Sequence, residues 1–110
     1  MEQIFRICED RKALDIVVLD VRKLTLITDF FLICHGTSRI HIDAIVDHIS
    51  RNLKAWDESF RIEGTEVGGW VMIDCGDVLV NVFSQEEREY YGLERLWGDA
   101  EAVALAESSS

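Results

Sequence analysis

Apolar positions along this chain recur with two different periods, and the switches between them mark out the elements. Residues 2–12 carry Ile4, Ile7 and Cys8 at i, i+3 and i+4, which predicts a short amphipathic helix. Residues 15–20 and 29–35 are apolar runs rich in β-branched or aromatic side chains, the pattern of strands buried on both faces. Residues 21–28 exceed a tight hairpin turn, so the pattern leaves the pairing of these two strands open. Gly36 and Thr37 break the second run, and Ser38 is a suitable N-cap. Ile42, Ile45, Val46, Ile49 and Leu53 then line one face of a helix ending near Lys54. Asp47 and Arg51 stand one turn apart on its solvated side, an ion-pair spacing that adds a few tenths of a kcal/mol.

Further along, residues 60–63 predict a short strand and residues 64–69 a loop. Residues 70–74 and 78–83 alternate with period two and predict a hairpin closed by Cys75, Gly76 and Asp77. Ser84 and Glu87 form a capping-box pattern, so a helix is expected directly after the second strand, with Gly92 ending or distorting it. The Ala- and Glu-rich residues 100–107 suggest a last helical turn and Ser108 to Ser110 a frayed end. The expected fold class is α/β: one domain over residues 1–110, a mixed β-sheet of about five strands packed with helices, and a flexible tail from about residue 100.

Composition narrows the function classes. Apolar residues make up 48% of the chain, which excludes wholesale disorder, and no apolar run approaches the roughly 20 residues needed to cross a bilayer. Residues 1–6 lack the basic and apolar blocks of a signal peptide, and Glu2, Glu9 and Asp10 oppose a transit peptide, so the cytoplasm is the expected compartment. Eleven Lys and Arg against 21 Asp and Glu give a formal charge of -10. Phosphate backbones are bound by neutralising them with Lys and Arg, so direct nucleic-acid contact is not expected. A basic protein surface is the better partner on charge, and plain solubility explains the same balance without one.

Chemical constellations are sparse. His41 and His48 sit about 10 Å apart along one predicted helix, too far to share a zinc ion. His35, His41 and His48 therefore read as surface or capping side chains, and no metal or cofactor is expected. Cys8, Cys34 and Cys75 have no ligand-like spacing; two of them fall within apolar strand patterns, where a free thiol behaves as a small buried hydrophobe, and the set reads as structural. The Gly36-Thr-Ser38 strand-to-helix junction could hold an anion, but the glycine-rich signatures of nucleotide-binding turns are missing, and a turn with a cap is the favoured reading. No nucleophile elbow or supported Ser or Cys is present, so no catalytic residue is assigned.

The hairpin stands apart. Alternation puts Val71, Ile73, Val78, Val80 and Val82 on one face, and Trp70, Met72, Asp74, Leu79, Asn81 and Phe83 on the other. The first set has core composition. The second mixes large apolar with polar groups, as interfaces do, although a second covering helix would account for it equally well.

Segments spread over most of the chain carry a family resemblance. Asp15-Ile-Val-Val-Leu-Asp-Val21, Thr28-Asp-Phe-Phe-Leu-Ile-Cys-His-Gly-Thr-Ser38, Glu63-Gly64, Trp70-Val-Met-Ile-Asp-Cys-Gly-Asp-Val-Leu-Val-Asn-Val-Phe83 and Tyr91-Gly-Leu-Glu-Arg-Leu-Trp97 resemble the ribosomal silencing factor family (RsfS, also called Iojap) in order and spacing, over roughly residues 12–99. The resemblance implies a nucleotidyltransferase-like topology without a catalytic site. It also implies binding to the large ribosomal subunit through its basic ribosomal protein fourteen, so that a bound factor blocks joining of the small subunit and represses translation. On that reading Trp70, Met72, Asp74, Asp77, Asn81 and Tyr91 are the expected protein-binding residues, with Glu63 and Trp97 as readily structural. Two positions depart from the family's usual pattern: Asn81 replaces a His and Gly92 an Asp. The alternative function is a nucleotide-binding or nucleotidyl-transfer enzyme using the Gly36-Thr-Ser38 turn with Asp74 and Asp77, and a third reading is a homodimer formed through the same sheet face.

Overall fold

A computed structural model describes residues 2–64, 69–98 and 100–102. The elements run α1 (Glu2–Asp10), β1 (Leu14–Asp20), β2 (Phe30–Gly36), α2 (Arg39–Ala55), β3 (Arg61–Gly64), β4 (Trp70–Asp74), β5 (Val78–Ser84), α3 (Gln85–Tyr91), α4 (Leu93–Leu96) and β6 (Glu101–Ala102). The strands form one mixed sheet in the order β3-β4-β5-β2-β1-β6. Among the described residues its one parallel pair is β2 with β5, in register from Phe30 opposite Val78 to Gly36 opposite Ser84. The crossover between these two strands contains α2, as a parallel connection requires.

One face carries the main core. Ile4, Phe5, Ile7 and Cys8 of α1 and Ile42, Ile45, Ile49 and Leu53 of α2 pack on Val18, Leu32, Cys34, Ile73, Val80 and Val82. Apart from Phe5, these helical positions are the predicted apolar stripes, with Val46 at the margin. Ser38 caps α2 as expected: its Oγ accepts the His41 N–H at 3.1 Å. Ser38→Ala should cost about 1 kcal/mol, read as a lower urea midpoint with an unchanged slope. The Arg51–Asp47 pair closes at 2.9 Å on the solvated side.

The two histidines of α2 secure α1. Thr37 N–H donates to His41 Nδ1 at 3.0 Å, which leaves Nε2 to donate to the Arg11 carbonyl at 2.8 Å. His48 Nε2 stands 3.7 Å from Asp10. Cys8 and Cys34 are fully buried free thiols, and the Cys8 thiol is pushed well above its ordinary range by its hydrogen bond with Cys34 and by burial.

Several expectations need correction, and the strand pairing left open resolves. The two N-terminal strands pair, antiparallel, through the long 21–29 connection. The first of them is not buried on both faces: Leu14 and Asp15 are exposed, and a register shift before Val17 places Asp15 at φ 47. The capping box is half formed. Ser84 Oγ accepts the Glu87 N–H at 3.2 Å, but Ser84's own N–H is taken by the Gly69 carbonyl at 2.8 Å, so Glu87 does not close it. Residues 101–102 do not extend a helix but pair with Leu19 and Asp20 as a sixth strand. Residues 103–110, which carry most of the expected final turn and tail, lie outside the described residues, as does much of the expected 64–69 loop.

Candidate functional site

The second face of the sheet is built differently. Cross-strand pairing aligns Trp70 with Phe83, Met72 with Asn81 and Asp74 with Leu79, the predicted facing set. On the other side of β4, Glu63 pairs with Met72 and Arg61 with Asp74, which puts both on the same surface. Toward β1 this face holds a smaller core of Leu19, Val21, Phe31 and Ile33, with Phe83 at its centre and Leu93 and Trp97 packed over it. Trp97 meets Phe31 edge-on at 5.0 Å. The covering helix weighed from the sequence is therefore short: α4 and the following turn shield the β1–β2 side, while the β4 side stays half-exposed.

Trp70 stands at that boundary. Its ring stacks on buried Phe83 at 5.0 Å and meets Tyr91 at 4.5 Å. Its Nε1–H donates to Asn81 Oδ1 at 3.1 Å. The Asn81 amide in turn donates to the Leu79 carbonyl at 3.2 Å. Asn81 is 1% exposed, so it cannot be the surface contact expected from the sequence. It is the buried backing that fixes the indole plane. Tyr91 is 41% exposed and Met72 half-buried, so both remain available alongside the indole.

The two expected carboxylates separate. Asp74 ends the Trp70–Met72 row, where its Oδ1 accepts the Gly76 N–H at 2.9 Å and its Oδ2 lies 3.6 Å from Arg61. Asp77 is exposed in the turn and borders a cavity of about 130 Å³ with Gln3, Leu53 and Trp56, on the side that α1 and α2 cover. Gly76 between them adopts φ 83, the left-handed conformation that makes glycine the natural residue there. Cys75 is half-buried in the same turn, its thiol pushed up to about 11 by burial and then by the Asp74 charge. Glu63 joins the acidic end beside Met72, a placement that only the register reveals.

Nucleotide chemistry loses its assembled site. The Gly36-Thr-Ser38 turn follows the end of β2, whereas Asp77 precedes the start of the parallel β5. Six residue steps of strand, about 20 Å, lie between them. The cleft beside that turn, about 700 Å³, is bordered by Glu86, Glu87 and Glu89, whose charges oppose a phosphate and outweigh that of Arg39 on the same wall. Both serines at its helix starts already accept capping N–H groups.

A third cluster was not legible in the sequence. Arg88 Nη1 donates to His35 Nδ1 at 2.9 Å and to the Leu14 carbonyl at 3.2 Å, while its Nε reaches Glu94 at 2.8 Å. His35, read from the sequence as surface or capping, is 6% exposed. Burial first, then the adjacent Arg88 charge, lowers its pKa below the ordinary imidazole value.

Comparison with known proteins agrees with this architecture. The family model described as "Ribosomal silencing factor during starvation" matches residues 1–110. The chain is 47% identical over 98 residues to the ribosomal silencing factor RsfS of Halalkalibacterium halodurans, covering 88% of this chain and 84% of that protein. It is 44% identical over 102 residues to RsfS of Bacillus subtilis, covering 89% and 84%. A crystal structure of a Bacillus halodurans protein superposes with a TM-score of 0.81 at 40% identity, covering 93% of each chain. With a family model spanning its length and relatives this close, the chain belongs to the ribosomal silencing factor (RsfS) family.

Proposed function

We propose that this protein binds the large ribosomal subunit through ribosomal protein fourteen and, by occupying that face, keeps the small subunit from joining, which represses translation. The observation that carries the reading is the half-covered sheet face around Trp70: an aromatic anchor held by Phe83, Tyr91 and Asn81, with carboxylates at one end. Large aromatic side chains in partly desolvated settings are where interface energy concentrates. Asp74 and Glu63 supply charge complementary to a basic partner, which speeds encounter and sets orientation more than it adds affinity. Tyr91 and Met72 complete the apolar patch and Asn81 acts from beneath by holding the indole, while Asp77, on the side that α1 and α2 cover, stands apart from it.

The action is occupancy, not catalysis, and it needs no metal or cofactor. The net charge of -10 favours a basic protein over RNA as the primary contact. Charge-steered association weakens with salt, so binding should fall as ionic strength rises. A subunit-joining assay on density gradients tests the function: added protein should leave large and small subunits in separate peaks. Normal joining at saturating protein would overturn the proposal.

A further inference from the structure

We propose that Arg88 is a positioning residue for this face: its guanidinium, shared among His35, the Leu14 carbonyl and Glu94, sets the turn between α3 and α4 so that Tyr91 closes on Trp70. The weight given to binding rests on the docking role of the Trp70 face. The positioning itself stands on geometry.

No residue of α3 is fully buried, and its ring contact with the sheet is the half-exposed Tyr91 against Trp70 and Phe83. Ser84 fixes its start. Its end is Gly92 in the left-handed region at φ 55, with the Gly92 N–H on the Arg88 carbonyl at 3.0 Å. Arg88 thus engages the turn twice, by its backbone from the helix and by its side chain through Glu94 beyond the glycine. The same guanidinium reaches β1 at Leu14 and β2 at His35. Tyr91, one turn along from Arg88, inherits the orientation that this clamp imposes. A planar fork of donors can serve several acceptors in fixed directions, and a lysine ammonium cannot reproduce that arrangement.

The clamp also carries a proton condition. His35 Nδ1 must accept the Arg88 N–H, so the imidazole has to be neutral. The charged groups around it are Arg88 and Glu89 from α3, Asp15 from β1, and Glu94 from α4, with Arg95 across a shared cavity of about 580 Å³. Burial and Arg88 favour the neutral ring, while Asp15, Glu94 and Glu89 oppose them. The folded value is the lower one. The stabilisation is therefore complete above the free imidazole value of about 6.5 and is lost as pH falls through the folded value.

The test is the through-space NMR contact between the Tyr91 and Trp70 rings, followed with pH in the full chain. In the wild type it should be strong near neutrality and fade on acidification below the free imidazole value of about 6.5, as His35 takes up a proton. Arg88→Gln and Arg88→Lys should both lose it at neutral pH while the sheet amides stay dispersed. His35→Gln, whose carbonyl can accept the Arg88 N–H, should keep it and remove the pH step. If the Arg88 variants do not fold, Glu94→Ala, which removes the acceptor of the Arg88 Nε–H, should weaken the contact at neutral pH. An undiminished Tyr91–Trp70 contact in the folded Arg88 variants, or in Glu94→Ala where those do not fold, overturns the proposal, as does an unchanged pH step in His35→Gln. Sedimentation with large subunits should show Arg88→Gln binding about tenfold more weakly. Trp70→Ala run alongside separates the two claims: undiminished binding by that variant would sink the docking reading while the NMR contact still judges Arg88.

Discussion

Trp70→Ala is expected to weaken binding to the isolated large subunit by about 2 kcal/mol or more, roughly thirtyfold. The indole is the largest side chain of the half-exposed face, and it is already held in place before any partner arrives. Phe83 supports it from below, Tyr91 from the side, and Asn81 fixes its plane through the 3.1 Å bond from Nε1–H. A partner therefore meets an anchor whose ordering cost has been met on folding. Truncation removes the anchor and lets Tyr91 lose its neighbour. Trp70→Phe keeps an aromatic ring without the N–H donor and should lose less. A folded Trp70→Ala variant that binds as tightly as the wild type would remove this face from the account.

Asn81→Ala should act on a different quantity. The side chain reaches no solvent, so its loss cannot delete a direct contact. It leaves the Trp70 N–H without its acceptor and opens a small void between β2 and β5. Unpaired buried groups cost about 1–3 kcal/mol each, so unfolding free energy should fall by about 2 kcal/mol. Urea titration reads this directly. Below the transition, binding should fall less than for Trp70→Ala. A loss of affinity equal to that of Trp70→Ala, with stability unchanged, would mean that Asn81 meets the partner after all.

Much of this was legible in the sequence, for identifiable reasons. The stripe from Ile42 to Leu53 and the alternation of residues 70–83 are local periodic signals, and local periodicity survives folding. Ser38 and Ser84 were legible because capping is chemistry over three residues. What escaped depends on contacts between distant parts of the chain. Asn81 looked like a surface group because alternation assigns a face but cannot say what covers it. His35 and Arg88 lie 53 positions apart, and no period links them. Glu63 joined the face only through the register of β3 against β4. The separation of Asp77 from the Gly36-Thr-Ser38 turn follows from the parallel pairing of β2 and β5, which the pattern left undetermined. The family's expected Asp at position 92 also gains a physical setting: Asn and Asp tolerate the left-handed region better than other side chains, so Gly92 retains the turn while giving up a carboxylate.

The central claim is that the protein recognises the large subunit itself. Co-sedimentation with separately purified large subunits, small subunits and pre-joined ribosomes tests it most directly. Saturable co-sedimentation with large subunits, none with small subunits, and exclusion from ribosomes already joined are the expected results. Equal recovery with all three particles, or none with the large subunit, would contradict it.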